Sequence, residues 1–371
     1  MPGIEAAYVR EIGVGALPPP APRNGARWRG IFATPASVLL TLGGAALLGF
    51  ALPWLLRFFI FDAVWGADDG AACRAPGAGA CWAFVAHKLP YFVYGAYPPA
   101  ERWRVDLVFA LGFVLCVWLV APRASGRRLA AAFVFVLYPL AALLLLSGAP
   151  WVGLSYVATD LWGGILITFV VAAFGIAVSL PFGILLALGR RSHLPAVRLA
   201  SIVFIEFMRG VPLIAVLFMA ATMLPLFLTE RLVPDRLVPP LLGVAFFAAA
   251  YMAEVVRGGL QALPGGQREA AQALGLHFWA MQRLVILPQA LRLVVPAIAN
   301  TIIGLFKDTT LVATVGIFDF LRAVDSARLD PKWGGPTITP TAYCFAALVY
   351  FLFCFAMSRS AAWLEPRRRP R

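Results

Sequence analysis

The chain has 371 residues, 61% of them hydrophobic and only 13% charged, with a net charge of +13 and a mean hydropathy of +0.83. Soluble domains are nearer half apolar and a quarter charged, so this composition excludes a soluble globular protein and points to a polytopic membrane protein. The arginines sit in short clusters between apolar runs, the pattern of a membrane topology signal and not of a nucleic-acid-binding surface.

Residues 1–35 are rich in Pro and Gly, carry Arg10, Arg23, Arg27 and Arg29, and lack the basic start, apolar stretch and cleavage site of a signal peptide; a cytoplasmic tail is expected. Ala36 to Leu56 supplies about twenty apolar residues, enough to cross a hydrocarbon core of ~30 Å. A mixed segment, about 58–104, follows, is expected as a periplasmic loop, and holds Cys73 and Cys81. Outside the membrane these two could close a small disulfide loop, and two free thiols are the equal alternative, since spacing does not supply geometry. Second and third spans are expected at Val105–Ala121 and Leu129–Leu146, which makes residues 36–147 an accessory unit of three helices. Residues 160–363 then hold five more: Asp160–Leu188, Ser201–Leu226, Leu241–Leu260, Val294–Val315 and Thr341–Trp363. A basic tail, 364–371, ends the chain. The fold class is all-α, with about eight transmembrane helices. With the N-terminus inside, Lys and Arg in inner segments outnumber those in outer loops, so both termini are expected in the cytoplasm.

Between the sixth and seventh spans lies Pro264 to Pro288, which carries Arg268, Glu269, His277 and Arg283 and does not belong in lipid. Pro264-Gly265-Gly266 marks a turn and the alanine-rich Gln267–Leu274 a helix. Gly275 can cap that helix, and a second one from about His277 is expected to stop before Pro288. Ala270, Ala271 and Ala273 are small enough for a partner to approach closely.

Glu269-Ala270-Ala271, Gly275 four residues on, and Ile286-Leu287-Pro288 together resemble the EAA loop of ABC importer permeases. Arg209-Gly210-Val211-Pro212-Leu213, Glu254 to Gly259, Pro288 to Arg292 and Leu305 to Leu311 resemble, in order, motifs of the polar amino acid branch. The resemblance covers roughly Trp162 to Trp363, and the three extra spans are similar to those of the larger permease of the general L-amino acid system. It implies a five-helix type I importer core in the inner membrane, translocating polar or general L-amino acids. It also implies that Glu269, Ala270, Ala271, Gly275 and Pro288 couple the core to a separate cytoplasmic ATPase. Further partners implied are a periplasmic amino-acid-binding protein and, since no second core is visible within this chain, a second permease chain; a related sibling, giving a heterodimer, is expected, and pairing of the permease with itself is the alternative.

Ionisable residues inside a span are costly and are functional candidates. Glu206 and Arg209 fall at i and i+3, as do Glu254 and Arg257, so each pair can close on one helix face. Glu254–Arg257, near a span end, is expected to be structural. Lys307 and Asp308 are adjacent, cannot face each other, and need partners elsewhere or a watery path. The resemblance implies that Glu206, Arg209, Lys307 and Asp308 border the translocation path; holding helices together is the alternative for all four. No GxxxxGK[ST] stretch occurs, so ATP is expected to be bound by the partner and no cofactor by this chain. Five cysteines and three distant histidines show neither metal-ligand spacing nor a nucleophile with its base, so no metal site and no enzyme are expected. An ion-coupled secondary transporter using the buried carboxylates is the competing function.

Overall fold

In hydrocarbon each backbone N–H and C=O must find a partner within its own segment, and helices meet that demand. The computed structural model of the protein describes residue 32 and residues 34–120, 133–227 and 235–364. Most of the expected N-terminal tail, the basic tail after Leu364, and Arg123, Arg127 and Arg128 lie outside the described residues. Among the described residues, β-structure is confined to three isolated bridges.

The chain divides into two units, Met1–Ala63 and Val64–Arg371. The first holds helix α1, Pro35–Leu56, opened by Thr34, whose hydroxyl accepts from the Ser37 N–H at 3.2 Å. In the second unit come α2 (Trp82–Tyr94), α3 (Arg102–Val120) and α4 (Tyr138–Ser147). The core follows with α5 (Ile165–Gly189), α6 (Pro195–Gly210), α7 (Leu213–Phe218) and α8 (Val238–Gln261). Three short helices, α9 (Gly266–Ala273), α10 (Phe278–Met281) and α11 (Leu287–Leu293), lead to α12 (Val295–Asp308). The last two are α13 (Phe320–Ala327) and α14 (Ile338–Leu364).

Among the described residues five helical stretches are long and apolar enough to cross a membrane: Pro35–Phe61, Ile165–Gly189, Val238–Gln261, Val295–Val315 and Ile338–Trp363. Helices α3 and α4 occupy the places of the second and third expected spans. The expected fifth span, Ser201–Leu226, is not one helix: α6 and the stretch Leu213–Phe227 meet at 109°. The break falls at Val211, held extended (φ −102°, ψ 136°) before a proline that lacks an N–H. A second difference lies in the segment about 58–104, expected as a loop, which contains the thirteen-residue helix α2.

Helices α5 and α8 form the most extensive helix pair. Their contact is lined by small residues, with Ala245, Ala249 and Ala253 fully buried on α8. A Cβ on Gly183 would come 2.8 Å from Met252 Cβ and 3.0 Å from the Ala249 carbonyl oxygen, so this glycine sets how near the two axes come. Around the pair the buried apolar side chains form three clusters: a central one with α12, one at the end carrying α2 and α13, and one at the end carrying α9 to α11.

At the first of these ends Cys73 and Cys81 are disulfide-bonded, with Cα atoms 5.6 Å apart. The Cys81 N–H donates to Thr341 Oγ1 at 3.0 Å, the Thr337 hydroxyl to the Cys73 carbonyl at 3.2 Å, and Arg74 to the Gly334 carbonyl at 2.8 Å. Lys88 pairs with Asp330. Helix α2 and its disulfide loop are thereby built into the same face as the α12–α14 connection. Asp319 begins α13 there, accepting from the Leu321 and Arg322 N–H groups at 3.1 and 3.0 Å. The residue is fully buried, and desolvation pushes its pKa up to about 6 despite those bonds.

Two outcomes are expected. Gly183→Ala forces α5 and α8 apart and costs roughly 1–3 kcal/mol, seen as a lower melting temperature of the purified protein in detergent. Because the Asp319 pKa is raised from 3.8 to about 6, the native state binds this proton more tightly than the unfolded state does. Its contribution is therefore favourable at low pH and is lost as pH rises through that window, by on the order of 1–3 kcal/mol. Asp319→Asn keeps a capping side chain and should flatten this part of the stability–pH curve.

Candidate functional site

Three features are candidates: the loop between α8 and α12, a group of charged side chains on the ends of α5, α6 and α8, and a cavity in the central part of the bundle. The loop itself is a pair of short arms. Helix α9 ends at Gly275, whose φ of +73° a side chain would resist, and the turn returns the Leu276 N–H to the Ala271 carbonyl at 3.2 Å. The second arm does not stop before Pro288. It runs through α10, one wide turn at Gln282–Ile286, and α11, where Pro288 takes a first-turn position that needs no N–H. The Gln289 amide donates to Gln267 Oε1 at 3.2 Å, tying the arms together.

The expected coupling residues divide by exposure. Glu269, Ala270 and Gly275 are exposed, Pro288 is half-buried, and Ala271 is buried. Ala271 lies in the apolar cluster with Met281, Ile286 and Ala290, so its small size serves packing between the arms and not the approach of a partner. The outward surface instead carries Leu274, Phe278, Trp279 and Leu284, all exposed. Sequence reasoning passed over these four, although four large apolar side chains within the six residues 274–279 of a polar loop were a usable signal.

Beneath this loop lies an ion network on the ends of α5, α6 and α8. Glu254 was expected to pair with Arg257, and Arg257 does lie 2.8 Å from it. Glu254 also meets Arg190 Nη1 at 2.9 Å, and the same nitrogen meets Glu206 at 2.8 Å. Arg209 Nη1 is 3.8 Å from both carboxylates. The two expected i, i+3 pairs are thus one network, joined by Arg190, which in the sequence looked like a topology signal after an apolar run. Sixteen and sixty-four residues separate Arg190 from the two carboxylates, and no local pattern reports contacts at that range.

The third feature is a cavity of about 330 Å³ between α7, α8 and α12. Leu213, Val244, Phe247, Tyr251, Thr301 and Asp308 are among its lining residues, and Asp308 is the charged one. Lys307, its neighbour in sequence, is exposed and lines no part of the cavity. The expected path residues are therefore not one group: Asp308 is in the cavity, while Glu206 and Arg209 belong to the network. The two features touch at Tyr251, which lines the cavity and has the Arg209 guanidinium carbon 5.9 Å from its ring centroid. No cluster of three or more His, Cys, Asp or Glu able to hold a metal occurs among the described residues.

Comparison with known proteins gives a consistent pattern. A solved structure described as an amino acid ABC transporter with histidines aligns at 27% identity, covering 54% of this chain and 91% of that one, with a TM-score of 0.47. The inner membrane amino-acid ABC transporter permease protein YhdY of Escherichia coli (strain K12) is 48% identical over 358 residues, 94% of this chain and 95% of that one. The glutamate/glutamine/aspartate/asparagine transport system permease protein BztC of Rhodobacter capsulatus is 38% identical over 434 residues, 97% of this chain and 98% of that one. A family model described as the binding-protein-dependent transport system inner membrane component matches residues 179–370. With that match and two relatives aligned over nearly its whole length, the chain belongs to the family of inner membrane components of binding-protein-dependent transport systems.

Proposed function

We propose that this permease subunit carries polar or general L-amino acids inward across the inner membrane, driven by a separate cytoplasmic ATPase that alone binds ATP. The observation that carries the amino acid reading is the near-full-length likeness to YhdY, whose name specifies amino acids. The other subunits would be a second, related permease and a periplasmic amino-acid-binding protein, in the manner of the larger permease of a general L-amino acid system.

The orientation follows from two independent features. Disulfides persist in oxidising compartments, which favours the Cys73–Cys81 end facing the periplasm. The opposite end carries the paired arms α9 to α11, with exposed Leu274, Phe278, Trp279 and Leu284 in reach of a cytoplasmic ATPase. Both termini would then be cytoplasmic. In this reading residues 264–288 transmit closure of the ATPase to the core of residues 160–363, with Glu269, Ala270 and Gly275 at the contact and Ala271 and Pro288 shaping the arms. The Asp308 cavity is a stopping place for the substrate: an ammonium group fits a carboxylate in an otherwise neutral pocket, and the apolar walls exclude competing water.

Purification of the tagged chain from native membranes in mild detergent, followed by mass spectrometry, tests the assembly. An ATPase and a second permease should accompany it; a chain that emerges alone and still transports without ATP would replace this reading with ion coupling. Gly275→Asp should abolish amino acid uptake while the protein still reaches the membrane, because no backbone partner compensates a charged side chain at φ +73°.

A further inference from the structure

The network on α5, α6 and α8 contains three guanidinium groups, Arg190, Arg209 and Arg257, and two carboxylates, Glu206 and Glu254. It is one positive charge out of balance, and the distances say where that charge resides. Glu206 is held by Arg190 at 2.8 Å; Glu254 is held by Arg190 at 2.9 Å and by Arg257 at 2.8 Å. Arg257 has a further acceptor in Gln261 at 2.7 Å. Arg209 lies 3.8 Å from either carboxylate, in ion-pair range but beyond hydrogen-bond range, with its guanidinium also over the face of Tyr251. Tyr251 is also a wall of the Asp308 cavity, and α8 runs from it through Glu254 and Arg257 toward the α9 loop. Arg209 therefore stands beside the cavity, on its side nearer that loop, as the most loosely held guanidinium of the network, in long ion pairs without a side-chain hydrogen bond among the described residues.

We infer that Arg209 receives the carboxylate of an amino acid leaving the Asp308 cavity, and that Arg190 is the positioning residue that keeps Arg209 available by engaging Glu206 and Glu254. The inference rests on the amino acid reading above. The chemistry is complementary at both stations: Asp308 accepts from the ammonium group, and the planar guanidinium of Arg209 offers paired donors to a carboxylate. Were Arg190 absent, Glu206 and Glu254 would lose their strongest shared partner and turn to the nearest unsatisfied cation. Arg209 would then be neutralised by its own protein in place of the substrate.

This mechanism has a consequence that a purely structural tie does not share, namely that removing a carboxylate should repair the loss of an arginine. The complete transporter, with its ATPase, second permease and binding protein, is reconstituted in proteoliposomes and supplied with a radiolabelled mixture of the common L-amino acids. Arg190→Gln and Arg209→Gln should each lower maximal uptake about tenfold, while assembly and ATP hydrolysis persist. Adding Glu206→Gln should restore most of the uptake to the Arg190→Gln protein and none to the Arg209→Gln protein. A double variant R190Q/E206Q no better than R190Q, or normal uptake by R209Q, overturns the inference and leaves the amino acid reading standing. Should Arg190→Gln fail to assemble, Arg209→Gln carries the test alone, since that side chain is partly exposed and makes no hydrogen bond the fold needs. Failure of the unaltered transporter to import any labelled amino acid overturns both readings.

Discussion

The close approach of α5 and α8 is the contact on which the rest of the protein depends. Lipid offers helices no hydrophobic reason to associate, so intimacy has to come from shape, and Gly183 against Met252 and the Ala249 carbonyl supplies it. Both ends of the pair are then fastened by polar groups. At one end the Gly164 N–H, just before α5, donates to the Phe318 carbonyl at 2.8 Å, and the Thr168 hydroxyl accepts from the Phe320 N–H at 3.0 Å. At the other, Arg190 at the end of α5 reaches Glu254 on α8 and Glu206 on α6.

Those two fastenings differ in kind. The disulfide end is a dense construction in which α2, α13 and the start of α14 share one apolar cluster, with Asp319 fully buried at the start of α13. The loop end adds to its own apolar cluster a network of ion pairs whose carboxylates are partly exposed, and such contacts respond more readily to a change of partner. A permease that alternates its access needs one end that can rearrange around a core that does not. The charged end lies beside the paired arms α9 to α11, and in the proposed mechanism it is the end that rearranges.

Position in this chain decides what identical chemistry does. Glu206–Arg209 and Glu254–Arg257 share one spacing, yet only the second closes at 2.8 Å, while Glu206 is held by Arg190 at 2.8 Å and stands 3.8 Å from its own helix neighbour. Lys307 and Asp308 are adjacent, yet the helical rotation between successive residues sends one to the exterior and the other to the cavity. Ala270 and Ala271 are likewise neighbours of the same type, one presented outward and one packed between two arms.

Composition and periodicity were sufficient for an all-α membrane protein and for the positions of most of its apolar helices, since the cost of exposing backbone to hydrocarbon leaves few alternatives. Local signals were also sufficient for the turn at Gly275, because φ preference acts within a residue or two, whereas the break beside Pro212 falls inside what reads as one continuous span. The sequence did not disclose that this break turns a presumed span through 109°, nor that the α10–α11 arm continues past Pro288, since both depend on the segments packed alongside. Nor could it choose between a disulfide and two thiols at Cys73 and Cys81, or join Arg190 to Glu206 and Glu254. Hydrophobic pattern and turn chemistry are local and survive in one dimension; the pairing of charges and sulfurs is decided by distance in three, and only the assembled helices fix that.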